Sequence, residues 1–288
     1  MKTKRLLSIS RPRFWIYEIG PYIIGVLAAA QSDHVVWLMP ATIIFFLFFA
    51  YPANIYIYGI NDVYDYDTDK LNPKKVSYES LVMPDEQKGL LKHIALVCIP
   101  FIIYAGLTLS LSTFISFLAF FFFAGFYSAK PIRAKARPFF DSFFSAGHYI
   151  ATAVFSYLLI SDLLIKTISP STLAIYSIAG ICWAMAMHAY SAVPDIKADA
   201  DAGLKTIATV LGKKATVILC AVLYAAAGIL SYTYLGIVGV ILTLIYVLFM
   251  IVSLSANEEK FFKIYTYFPI INTLSGMSIF FTLLIKAL

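Results

Sequence analysis

Tyr58-Gly59-Ile60-Asn61-Asp62-Val63-Tyr64-Asp65-Tyr66-Asp67-Thr68-Asp69-Lys70-Leu71-Asn72-Pro73-Lys74-Lys75 follows a long apolar run and sets four carboxylates into eight residues. Burial in a membrane gives no reason for them. On a helix continued through the stretch, Asn61, Asp65 and Asp69 stand at i, i+4 and i+8 on one face, with Asp62 three residues from Asp65. Acids this close repel one another unless a cation lies among them, and a set of oxygen donors suits Mg2+. The stretch predicts an apolar helix that ends in a metal site.

Outward from it, the chain has 288 residues, 61% apolar, 16% aromatic and only 13% charged, against about 25% charged in soluble domains. That composition is all-α and membrane-embedded. About 20 apolar residues cross a bilayer, and nine stretches meet that length: about 14–31, 36–60, 91–109, 111–128, 139–160, 171–193, 214–231, 235–254 and 264–286. Short turns at Ser110–Ser112 and Tyr232–Gly236 make two of the connections antiparallel hairpins. Extramembrane sequence is too short for a second domain, so residues 1–288 are expected to form one membrane-embedded domain, with 1–13 a basic interfacial arm. No small-residue cleavage site of the signal-peptide kind follows that arm. Cys98, Cys182 and Cys220 lie scattered in apolar runs, a pattern that fits neither a disulfide framework nor a metal knuckle.

With nine spans, the loops alternate so that 20 of the 22 basic residues fall on one side and only Lys166 and Lys286 on the other. The positive-inside rule then places the N-terminus and the polar loops in the cytoplasm and the C-terminus opposite. The net charge of +6 follows from this bias toward anionic headgroups and requires no nucleic acid; nor does any stretch suggest an obligate protein partner.

The chemistry of Asn61–Asp69 is repeated. Asp195 and Asp199 stand at i, i+4 after the sixth apolar stretch, with Asp201 close behind, as the first cluster stands after the second stretch. Two carboxylate-rich helix ends facing one another across a cavity would hold Mg2+, and a diphosphate would bridge the ions. The loop Tyr127–Pro138 carries Lys130, Arg133, Lys135 and Arg137, cations able to grip the same anion, and Lys205 lies beyond the second cluster.

Asn61-Asp62-x-x-Asp65-x-x-x-Asp69, with Asp195-x-x-x-Asp199-x-x-x-Gly203-x-x-Thr206 and Gly212, resembles the paired aspartate motifs of the UbiA superfamily of intramembrane prenyltransferases. The likeness extends to Arg11-Pro12, Tyr127-Ser128, Lys135 and Pro138. Within the superfamily the flanks resemble lycopene elongases: Pro52, Asn54, Tyr58 and Gly59 before the first motif, Asn72-Pro73-x-Lys75 after it, then Arg137-Pro138-Phe139-x-Asp141 and His148.

The resemblance implies a bundle of about nine helices around a cavity open to the cytoplasm, and transfer of a prenyl group from an allylic diphosphate to a lipophilic acceptor. The acceptor it implies is the end of lycopene, with an aromatic quinone precursor as the alternative. It implies two Mg2+ ions on Asp62, Asp65, Asp69, Asp195 and Asp199, with Asn61, Lys130, Arg133, Lys135 and Lys205 on the diphosphate. The carbocation formed needs a dry cavity and aromatic faces, for which Tyr58, Tyr64 and Tyr127 are candidates. Prenylating an alkene leaves a second cation, so a base is wanted. Glu18, Asp141, His148 and His188 are the ionisable groups in suitable spans, with Glu18 placed in the catalytic set. A transporter is the rival class, but transport favours ionisable groups near the midplane, whereas these gather at one face.

Overall fold

The structure is a computed structural model and describes residues 1–66 and 81–287. Asp67, Asp69, Lys70, Asn72, Pro73, Lys74 and Lys75 lie outside the described residues, and so do their expected roles. Among the described residues the regular structure is helical, and eight helical stretches, one of them Pro40–Tyr64 with a break inside it, are long and apolar enough to cross a membrane. The protein is an integral, multi-pass membrane protein. Its helices group into two compact units: 1–133 with 151–166, and 134–150 with 167–288.

The first unit contains α1 (Thr3–Ile9), α2 (Ile16–Ala30), α3 (Pro40–Ala50), α4 (Pro52–Tyr64), α5 (Pro84–Thr108), α6 (Leu111–Ser128) and the second half of α7 (Phe140–Leu163). The first expected span, 14–31, is shorter in the structure. At 1.5 Å per residue, the 15 residues of α2 reach about 22 Å, less than the roughly 30 Å of hydrocarbon. The chain turns at Arg11 (φ 51°) before it and at Gln31 (φ 54°) after it.

The second expected span is broken into α3 and α4 at Tyr51–Pro52, because proline has no N–H for the preceding turn. The buried Asn54 repairs the break: its Nδ2 donates to the carbonyls of Phe49 at 2.9 Å and Ala50 at 3.0 Å. Helix α5 starts seven residues before the expected 91. Pro84 at its first position and the acids Asp85 and Glu86 in its first turn suit a helix N-terminus, polar though they are.

Lipid tails are as apolar as these side chains, so helices gain from close approach and ring packing rather than from leaving water. Phe45, Phe48, Phe49, Phe117, Phe120 and Phe155 form the core of this unit, with ring centroids 4.7 Å apart for Phe45–Phe155 and 4.9 Å for Phe48–Phe117. Each such pair adds about 0.5–1.5 kcal/mol beyond its buried area. Gly25 lets α2 approach α7 so closely that a Cβ there would lie 2.0 Å from Ser156 Oγ and 2.2 Å from the Ala153 carbonyl. Lys166 closes the far end of α2, donating to the carbonyls of Ala29 and Ala30 and pairing with Asp33 at 2.8 Å.

The second unit holds the first half of α7, then α8 (Pro170–Ser191), α9 (Ile196–Asp201), α10 (Ile207–Leu235), α11 (Ile237–Ser255), α12 (Glu258–Tyr265) and α13 (Phe268–Ala287). Its core is built on Tyr190, ringed by Phe249, Phe261 and Phe268, and on Tyr224 stacked over Tyr246 at 4.2 Å. The polar stretch between the expected spans 171–193 and 214–231 is largely helical. It forms the short α9 and the first turn of α10, which is interrupted at Gly212 (φ 72°).

Candidate active site

In the first unit helix α4 ends at Tyr64, and Asp65 caps it with φ −105° and ψ 2°. The i, i+4 relation still holds across that end: Asn61 Nδ2 donates to Asp65 Oδ2 at 2.6 Å and to Ser128 Oγ, at the end of α6, at 2.8 Å. Asp62 turns away from this pair and meets Arg11, whose Nη2 lies 2.8 Å from its Oδ1. Both carboxylates are buried, at 4% and 2% exposure, which makes their charge costly without compensation. Arg11 supplies part of that, and Arg133 Nη2 lies 3.9 Å from Asp65 Oδ1.

The Arg11 guanidinium also sits 4.7 Å over the ring of Tyr58, which Phe14 flanks at 5.9 Å. The basic arm is therefore more than an interfacial tail. Its Arg5 makes a bidentate pair with Glu86, at 3.0 and 2.7 Å, and donates to the Leu81 carbonyl at 2.7 Å. Arg5 and Arg11 thus fasten the arm on both sides of the acidic segment. Tyr58 and Tyr127 are half-buried, whereas Tyr64 is 45% exposed. Lys130 is exposed and Arg133 half-buried in the loop after α6.

Glu18 is buried on α2, where its Oε2 accepts a 2.7 Å hydrogen bond from the Thr152 hydroxyl on α7. An ionisable group buried in a membrane-spanning chain is costly, and the Thr152 hydroxyl offsets part of that cost.

In the second unit Asp195 is exposed at the start of α9 and Asp199 half-buried within it. Asp199 interacts with its neighbour Asp195, with Lys135 and with the Thr206 hydroxyl. Lys135 is half-buried and Lys205 exposed. Of the remaining candidate bases, His188 Nδ1 lies 3.2 Å from Ser142 Oγ, and the buried His148 packs its ring 4.0 Å from that of Tyr149. Asp141 Oδ2 accepts the Ile207 N–H at 2.7 Å.

The donors in both units are carboxylate and amide oxygens, the chemistry that Mg2+ selects. Among the described residues no three His, Cys, Asp or Glu side chains gather closely enough to hold an ion by themselves. Mg2+ needs no such cage, because it completes its octahedron with water and phosphate oxygens. The residues fit the ion on that ground. Sequence reasoning missed two partners of the site, Thr152 and the Arg11–Asp62 pair. Their contacts span 134 and 51 residues, and no local spacing announces them.

A family model described as the UbiA prenyltransferase family matches residues 19–263. The lycopene elongase/hydratase of Halobacterium salinarum is 35% identical over 274 residues, covering 94% of each chain. That of Corynebacterium glutamicum is 35% identical over 241 residues, covering 81% of this chain and 78% of the relative. Among solved structures, a UbiA homologue from Archaeoglobus fulgidus bound to GPP and Mg2+ matches with TM-score 0.65 and 21% identity over 97% of this chain and 99% of that one. A digeranylgeranylglyceryl phosphate synthase matches with TM-score 0.73 and 17% identity over 97% and 98%. At these identities the structural likeness is one of fold.

Proposed function

The chain belongs to the UbiA prenyltransferase family, and from that premise we propose that it moves a prenyl group from an allylic diphosphate to the ends of lycopene, as one membrane-embedded catalytic domain. The observation that carries prenyl transfer is the buried pair Asp62 and Asp65 at the end of α4, held by Asn61, Ser128 and two arginines. The acceptor follows from relatives named lycopene elongase/hydratase that match nearly the whole chain.

Asp62, Asp65, Asp69, Asp195 and Asp199 would hold two Mg2+ ions; when bound, these supply Lewis-acid stabilisation of the departing diphosphate. Lys130, Arg133, Lys135 and Lys205 bind phosphate oxygens, and Asn61, whose amide hydrogens are taken by Asp65 and Ser128, would offer its amide oxygen as a neutral ligand at the same head group. The allylic C–O bond breaks with both electrons leaving on the diphosphate. Tyr58 and Tyr127 shield the resulting cation with their ring faces while apolar helices exclude water; Tyr64, exposed, is the weakest member of this set. His148 lines the acceptor's path. The prenyl carbon then bonds to the terminal alkene carbon of the acceptor, leaving a tertiary cation. Glu18, oriented by Thr152, takes the proton released, either from a neighbouring carbon or from a water that adds to the cation. The positive-inside bias supports a cytoplasmic N-terminus and cytoplasmic active-site loops, with the C-terminus opposite.

The test is diphosphate release by the purified full chain with an allylic prenyl diphosphate, Mg2+ and either lycopene or an aromatic quinone precursor. Prenylated lycopene is the expected product. Prenylation of the aromatic acceptor alone would move the assignment to the quinone class, and no Mg2+-dependent product with either would overturn it.

A further inference from the structure

Asp141 is fully buried in the first turn of α7 and has no part in the steps above. Its Oδ2 accepts a 2.7 Å hydrogen bond from the N–H of Ile207, the first residue of α10. The amides of Phe139 and Ser142, at the start of α7, lie beside the same carboxylate, so one anion serves the positive ends of two helices. Helix α10 does not need it in order to start. Thr206 and Thr209 already form a reciprocal cap, with Thr209 N–H donating to Thr206 Oγ1 at 3.2 Å and Thr206 N–H to Thr209 Oγ1 at 2.8 Å.

What Asp141 adds is a fixed separation between two short segments. The one that precedes it carries Lys135, and the Asp141 N–H closes onto the Arg137 carbonyl at 3.0 Å. The one that precedes Ile207 carries Thr206. From outside α9 the Lys135 charge and the Thr206 hydroxyl both act on the Asp199 carboxylate. The loop between α9 and Thr206 folds back through Gly203 (φ 70°), with the Leu204 N–H donating to the Asp199 carbonyl at 2.8 Å.

We propose that Asp141 is a positioning residue for the second acidic motif: by tying the start of α7 to the start of α10, it keeps Thr206 and Lys135 on Asp199 and sets that motif's affinity for a magnesium diphosphate. The inference rests on Asp199 being a ligand of that head group.

The test measures half-saturating Mg2+ with inorganic pyrophosphate on the purified full chain, read as thermal stabilisation in detergent. Asp141→Ala is expected to raise it roughly ten- to a hundredfold, the usual cost of losing a partner that orients a ligand. Asp141→Asn, which keeps an oxygen for the Ile207 N–H, should recover most of the loss. If Asp141→Ala is not recovered folded, Ile207→Pro removes the same bond from the donor side. Proline suits the first position of a helix, and Thr206, at φ −90° and ψ 167°, suits the residue before one. Wild-type affinity in folded Asp141→Ala or in Ile207→Pro overturns the proposal. Asp199→Ala separates the two levels: if it too keeps wild-type affinity, the ligand assignment fails; if it alone loses affinity, only the positioning role falls.

Discussion

In the proposed function, single residues carry the diphosphate chemistry through charge held where water is scarce. Asp65→Ala removes a carboxylate 2% exposed and leaves Arg133 and the Asn61 amide facing an apolar methyl. Turnover is expected to fall at least a hundredfold in the purified enzyme while membrane expression persists. Glu18→Gln keeps shape and an acceptor for the Thr152 hydroxyl but cannot take a proton at neutral pH. Diphosphate release should continue while coupled product falls about a hundredfold, the lower end of general-base contributions; full coupling would dismiss Glu18 as the base. At this scale the sequence was informative where a group's partner lies one helical turn away, as with Asn61 and Asp65. It was silent where the partner comes from another helix. A lone acid such as Asp141 in an apolar stretch does not announce the N–H it accepts from a residue 66 positions later.

At the scale of elements, interruptions of the helices place the site. The break at Tyr51–Pro52 reorients the chain just before the first motif, and Asn54 absorbs the carbonyls it exposes. Asn54→Ala leaves two buried carbonyls without a donor, a cost of about 1–3 kcal/mol. It should lower the melting temperature of the detergent-solubilised chain with Asp62 and Asp65 untouched. Pro52 was visible in the sequence, and the one span expected there stands as Pro40–Tyr64, with the helix interrupted at Tyr51. Averaging of hydropathy extended the first span to 14–31, although the polar turns at Arg11 and Gln31 hold α2 to 15 residues. Polar composition also hid helix: 195–213 reads as a loop, but Asp195 precedes α9 and Thr206 caps α10, and both residues favour helix starts.

For the whole molecule, basic residues crowd the loops that adjoin the two motifs, and that asymmetry fixes the expected topology. A reporter fused after Leu288 should be active on the non-cytoplasmic side and one placed before Met1 on the cytoplasmic side; the reverse pattern would put the acidic motifs away from a soluble diphosphate pool. Removing divalent cations with a chelator should stop turnover, and Mg2+ should restore it. The all-helical membrane fold was legible from composition alone, since 13% charged residues leave no soluble surface. The split into two units was not, because residue spacing does not record which helices share a core. The most direct test of prenyl transfer to lycopene is lipid mass spectrometry on membranes of a lycopene-producing host expressing the chain, with and without Asp65→Ala. Carotenoids heavier than lycopene by one or two prenyl units, lost in the variant, are the predicted result; an unchanged lycopene profile with the folded chain present would contradict it.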